Sequence, residues 1–181
     1  MNGNEIVASV IAALSELRIE YMLVGSYSSN VYGIPRATND ADFVVQLVPG
    51  AVSKLMVLLG KDFKLQPQLE FEIITGTLRH VISFKPIDFT IELFEKSDDP
   101  FDCQRFDRRI SIQSAELSAT VWLPTPEDVV IQKLRWGRDK DLSDVADVIA
   151  VQEDVLDWDY IHRWTKEHDS DSALQRIRER S

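Results

Sequence analysis

The sequence predicts an α+β domain, a mixed sheet with flanking helices, that passes near Pro124 into a helical C-terminal part. Three observations predict it. Short apolar runs bounded by Gly and Pro alternate with helical periodicities over the first sixty or so residues. Residues 69–94 alternate and are rich in β-branched and aromatic side chains. Beyond Pro124 every periodic segment is helical. The expected division is therefore 1–123, the sheet-bearing core, and 124–181, a helical region packed on it. With 181 residues and 44% hydrophobic content, the chain has the means to bury one core, or one core with a helical appendix.

The elements follow in order. Asn4 is placed to cap a helix in which Ile6, Val7, Val10, Ile11, Leu14 and Leu17 recur at helical spacing. Residues 21–24 read as a short buried strand, broken by Gly25 and Ser26. Ser26 is suited to cap a helix running to about Tyr32. Pro35 biases Ile34 away from helical angles and ends it. Residues 43–47 form the next strand, closed by Pro49 and Gly50, and 51–59 a helix. Two or three strands fill 69–94, with breaks at Gly76 and Pro86. A short helix over 98–105 and edge strands at 110–112 and 119–123 complete the core. Thr125, Pro126, Glu127 and Asp128 then make a strong helix start, with acids facing the positive end of the dipole. Helices at 127–136, 142–152, 160–168 and 173–178 follow.

The net charge of −10 argues against a protein that coats nucleic acid with a broad basic face. It would also repel a nucleotide's phosphates unless divalent cations reversed the local sign. Cys103 is the only cysteine, so no intrachain disulfide is available. His80, His162 and His168 lack the spacing of a zinc site. The N-terminus has no basic n-region, and residues 6–14 are too short and amphipathic to span a bilayer, so a cytoplasmic protein is expected.

The chemistry concentrates in two places. In the first, Leu23-Val24-Gly25-Ser26 is followed by thirteen residues and then Asp40-Ala41-Asp42 before an apolar run. Carboxylates at i and i+2 of a strand share a face and can jointly clasp hard cations. Gly25 permits close backbone approach. Ser26 and the first N–H groups of the following helix face an anion such as a triphosphate. An ordinary turn and a solvated strand edge would account for each half alone.

Together these residues resemble the nucleotidyltransferase superfamily with the polymerase-beta-like fold, and Gly25, Ser26, Asp40 and Asp42 match its pattern. The run Tyr32-Gly33-x-x-Arg36-x-Thr38-x-Asp40 is similar to abortive-infection type nucleotidyltransferase toxins and their uncharacterised bacterial relatives. The resemblance implies Mg²⁺, with Mn²⁺ as substitute, held by Asp40, Asp42 and a third carboxylate on a nearby strand. Asp88 in Ile87-Asp88-Phe89-Thr90-Ile91-Glu92-Leu93 is the preferred third acid and Glu92 the alternative, since alternation puts both on one face. Arg36 and Thr38 precede the metal pair and are candidates for phosphate or substrate contact, although Arg36 could instead pair with Glu20 or an aspartate.

The second place is 126–145. In the toxin-like relatives a lysine-bearing helix precedes a basic-acidic pair and a final acid. Lys133, Lys140-Asp141 and Asp144 match these positions. The resemblance assigns Lys133 to the triphosphate, with Asp144 orienting it or acting on the acceptor; a solvated helix hairpin with local ion pairs is the plainer alternative. The activity implied is transfer of a nucleoside monophosphate from an NTP to a hydroxyl of an RNA end, a protein side chain or a small molecule, with a cognate antitoxin as partner. A non-catalytic nucleotide-binding or interaction module of a toxin–antitoxin pair is the competing reading.

Overall fold

The structure, a computed structural model, describes residues 1–74 and 76–179. Helix α1 (Gly3–Glu16) is capped by Asn2 rather than Asn4. The Asn2 side chain accepts the Glu5 N–H at 3.0 Å, and the Glu5 carboxylate accepts the Asn2 N–H at 2.8 Å. That reciprocal box selects the cap three residues before the glutamate. Strand β1 (Tyr21–Val24) runs directly into α2 (Gly25–Tyr32), and β2 (Asp40–Val45) and α3 (Ala51–Leu59) follow. Four strands come next: β3 (Phe63–Leu65), β4 (Glu70–Glu72), β5 (Thr77–Phe84) and β6 (Phe89–Glu95).

The sheet is ordered β1-β2-β6-β5, and β3 and β4 share the outer edge of β5. Among the described residues of this sheet, β2 and β6 run parallel and the other neighbours are antiparallel. Alternation gives the sheet two different faces. Leu23, Phe43, Val45, Ile91 and Leu93 turn to one side and pack on Ile6, Val7, Val10 and Leu14 of α1 in the main core. Phe43 is fully buried there, a side chain whose truncation to alanine costs about 3–5 kcal/mol in such cores. Met22, Val24, Val44 and Phe94 turn to the other side and meet Phe106. Further along the same strands, this second face carries Asp40, Asp42, Thr90 and Glu92.

Helix α4 (Pro100–Asp107) and the hairpin of β7 (Ile110–Ser114) and β8 (Ala119–Leu123) close the sheet-bearing part, with Leu117, Val121 and Leu123 joining the main core. Thr125 caps α5 (Pro126–Trp136), and Gly137 ends it at φ +65°. Then come α6 (Asp139–Gln152), a 3-10 turn (Glu153–Val155), α7 (Trp158–Glu167) and α8 (Asp171–Arg178). These helices have an apolar centre of their own, built on Val130, Leu134, Val145, Val148, Ile161 and Leu174. Tyr32 of α2 and Phe101 of α4 insert into it, so the two parts of the chain share packing.

Several boundaries differ from the sequence reading. β2 starts at Asp40, three residues before the first large apolar side chain, because the acids themselves pair with β1 and β6. α6 starts at Asp139, three residues earlier than apolar periodicity suggests. α2 has no side-chain cap: Val24 occupies the cap position and the Ser26 hydroxyl is engaged elsewhere. No helix of the described residues is long and apolar enough to cross a membrane.

Candidate active site

The site grows from the junction of β1, β2 and α2. Antiparallel pairing sets Val24 opposite Asp42, so the chain must turn from strand to helix directly over the Asp42 side chain. Gly25 makes that turn at φ +62°, a left-handed conformation that favours glycine. A Cβ at Gly25 would lie 2.0 Å from Asp42 Oδ2. The carboxylate therefore occupies the space that any other residue would need. Burial pushes the Asp42 carboxyl up to about 7, and the neighbouring Glu92 and Asp40 add to the shift against the opposing pull of Lys140 and Lys133. The Thr38 hydroxyl donates to Asp40 Oδ1, fixing the first acid at the strand entrance.

The parallel pairing of β2 with β6 decides which third acid stands beside this pair. Asp40 is in register with Thr90 and Asp42 with Glu92. Asp88, the preferred candidate from sequence, lies instead in the exposed turn before β6 and does not join the cluster. The Lys85-Pro86 turn delays the strand to Phe89, so the same-face acid within the sheet is Glu92. Burial raises the Glu92 carboxyl, opposed by Arg79, whose guanidinium donates to it at 2.8 Å.

Asp40, Asp42 and Glu92 open into a cleft of about 350 Å³, the low end of the small-molecule range. Its walls include Glu72, Arg79, Trp136, Arg138 and Lys140. One flank, at the α5–α6 junction, is basic through Arg138 and Lys140. The other, on the β4–β5 hairpin, bears acids. A more enclosed cavity behind Gly25, under α5, has room for about 30 Å³, enough for a water or two but not for a nucleotide.

The remaining sequence candidates form a second, adjoining cluster. Asp144 is its hub. It accepts from Arg36 Nε (2.9 Å) and Nη2 (3.0 Å), from Lys133 Nζ (2.6 Å) and from the Ser29 hydroxyl (3.2 Å). Arg36 also donates to Ser26 Oγ at 2.9 Å. Lys133 is buried and also reaches the buried Asp141 (3.4 Å), which Arg138 holds from the solvent side (2.5 Å). Burial alone would raise the Asp144 carboxyl, but the hydrogen bonds from Arg36 and Lys133 hold it down at about 2. This network ties α2, the loop before β2, α5 and α6 into one frame beneath the acids. Lys133 as placed serves that frame and is not among the residues lining the cleft; Arg79, Arg138 and Lys140 are cations that line it.

Sequence reasoning passed over Arg79 and Arg138 as site residues. Arg138 was legible as the base beside the Lys140-Asp141 pair. Arg79 was not, because only the register of β5 on β6 brings it to Glu92.

The fold is shared with solved structures. An antigenic nucleotidyltransferase-like protein from Paracoccidioides brasiliensis is 19% identical with a TM-score of 0.56, covering 97% of this chain and 94% of its own. ANT(2″)-Ia in complex with adenylyl-2″-tobramycin is 10% identical with a TM-score of 0.60, covering 93% and 98% respectively. No curated protein matches the chain in sequence. Residues 7–180 match the family described as nucleotidyltransferase of unknown function (DUF6036). The acid pair wedged against its glycine thus sits in a protein of nucleotidyltransferase fold, and the chain belongs to that DUF6036 nucleotidyltransferase family.

Proposed function

We propose that this enzyme moves a nucleoside monophosphate from an NTP to a hydroxyl group of a small molecule, with release of pyrophosphate. The observation that carries the reading is the Asp42 carboxylate lodged against Gly25 at the mouth of α2, beside Asp40 and in register with Glu92. An all-oxygen donor set suits a hard cation, and the burial and neighbouring negative charge that raise Asp42 are what such an ion would offset. Asp40, Asp42 and Glu92 would hold Mg²⁺ or Mn²⁺. When bound, the cations offset triphosphate charge and lower the pKa of the attacking hydroxyl.

The residues of the chain supply the rest. The N–H groups at the start of α2, which has no side-chain cap, would face the β- and γ-phosphates, with Gly25 turning the chain over Asp42. Arg138 and Lys140 add positive charge on the opposite wall. The acceptor oxygen bonds to the α-phosphorus as the bond to pyrophosphate breaks, and the hydroxyl proton passes to a carboxylate of the trio. Thr38 fixes Asp40 for that geometry, and the Arg36–Asp144–Lys133 frame keeps α2 and α6 in place around it.

Glu72, which lines the β4 side of the cleft, favours a neutral or amine-bearing acceptor over a polyanionic RNA end. A fold neighbour captured with adenylyl-2″-tobramycin supports the same class. The test incubates the protein with each α-labelled NTP, Mg²⁺, and separately a panel of amine-bearing polyols, total RNA, or cell protein. Label is expected on the small molecules. Label on RNA or protein would reassign the acceptor to the classes implied by the toxin-like relatives, and co-purification of a second polypeptide would bring in the cognate partner. Absence of transfer to all three would overturn the reading.

A further inference from the structure

Arg79 spans two acids. From β5 its Nη1 donates to Glu92 at 2.8 Å, and its Nη2 donates to Glu70 on the edge strand β4. Its guanidinium carbon lies 5.6 Å from the centre of the Phe94 ring, the side chain two residues beyond Glu92. The group is thus held over the sheet face that carries the acids. Among the described residues, no three His, Cys, Asp or Glu side chains converge closely enough to hold an ion. Register sets Glu92 beside Asp42, and its carboxylate is engaged by Arg79. Among the ion pairs of the described residues, the partner of Glu92 is Arg79. Lys140, on the opposite wall, makes no ion pair among those found within 4.0 Å in the described residues.

We propose that Arg79 is a built-in counter-ion for the third carboxylate, holding Glu92 in place in the metal-free protein and giving it up to the cation as the site loads. The inference rests on Asp40, Asp42 and Glu92 being the metal ligands. A guanidinium and a hard cation compete for the same oxygens, so loading must break the Arg79–Glu92 pair. Glu70 gives the released guanidinium a partner to keep, which makes the exchange cheaper than stranding a half-buried charge. Arg79 is in this sense a positioning residue: it acts through Glu92.

The test measures Mn²⁺ affinity by electron paramagnetic resonance, without nucleotide, for the wild type, Arg79→Gln, Lys140→Gln and Asp42→Asn. Arg79→Gln should tighten Mn²⁺ binding about tenfold, the fold-change that a charge-assisted hydrogen bond represents. Lys140→Gln removes the same charge from the same cleft without freeing Glu92, and should tighten binding by about threefold or less at ordinary salt. Equal shifts in the two variants, or none in Arg79→Gln, would overturn the proposal while leaving the metal site intact. Retention of wild-type Mn²⁺ affinity by Asp42→Asn would instead remove the metal assignment itself. Should Arg79→Gln fail to fold, the wild type decides: the ¹⁵N side-chain resonance of Arg79 should move during Mg²⁺ titration with the midpoint of binding, and a resonance that stays fixed through saturation would refute the exchange.

Discussion

A β-carbon on Gly25 would stand 2.0 Å from Asp42 Oδ2, so the glycine and the carboxylate are fitted to each other. Gly25→Ala must therefore displace the acid or the start of α2, and must also hold alanine at φ +62°. The backbone alone costs about 1–2 kcal/mol. Chemical denaturation should register at least that loss, and transfer should fall by about a hundredfold or more, because a misplacement near 1 Å suffices for that.

The Asp42 carboxyl at about 7 makes stability depend on pH with a definite sign. The folded protein keeps its proton above the ordinary carboxylate range, where the unfolded chain has lost it. Stability should therefore fall as pH rises from about 4 to about 7, by roughly a few kcal/mol at most. Mg²⁺ should raise the melting temperature more at pH 8 than at pH 5.5, since only the ionised site binds it strongly. Melting curves across this range, with and without Mg²⁺, check both statements; a Mg²⁺ effect that grows toward acid pH would contradict them.

Asp144 has the opposite sign. Held down at about 2, it contributes stability that is fully present above the ordinary carboxylate range and is lost as pH falls through about 2. Asp144→Ala would leave the buried Lys133 with only its longer contact to Asp141 and Arg36 without its carboxylate, at a cost of about 3 kcal/mol. Lys133→Ala should be comparably damaging, because it leaves two buried carboxylates without their shared cation. Urea midpoints measure this directly. A Lys133→Ala protein of wild-type stability with weakened NTP binding would return the lysine to the triphosphate.

Glu92 and Asp88 are separated by substitution. Glu92→Gln keeps the shape and removes the charge next to Asp42, so kcat/KM should drop by about a hundredfold or more, several kcal/mol of barrier. Asp88→Asn alters an exposed turn and should leave the rate within about twofold and stability within about 0.5 kcal/mol. The reverse ranking would restore Asp88 as the third acid.

Much of this was legible in the sequence, for identifiable reasons. Gly25, Asp40 and Asp42 stand out because their meaning is local: a glycine at a strand-to-helix turn, and two acids at the strand's own period. Periodicity likewise marked the helices after Thr125, whose cap is a sequence feature. What failed was register. Alternation says that Asp88 and Glu92 share a face, but only the pairing of β6 with β2, fifty residues away, says which one meets Asp42. The burial of Lys133 was hidden for a similar reason. Its partners Asp141 and Asp144 lie 8 and 11 residues on, across the α5–α6 turn, a spacing that a solvated helix hairpin shares, and only α2 and the 33–39 loop packing over them closes the network.

The central claim is that Asp42 acts in nucleotidyl transfer and not in holding the fold. The most direct measurement is the rate of pyrophosphate release by Asp42→Asn, alongside its melting temperature, with the NTP and acceptor that the wild type uses. The expected result is a folded protein, at least as stable as the wild type at pH 8 because a crowded buried charge has gone, and a rate lower by about a hundredfold or more. A folded Asp42→Asn protein that releases pyrophosphate at the wild-type rate would contradict it.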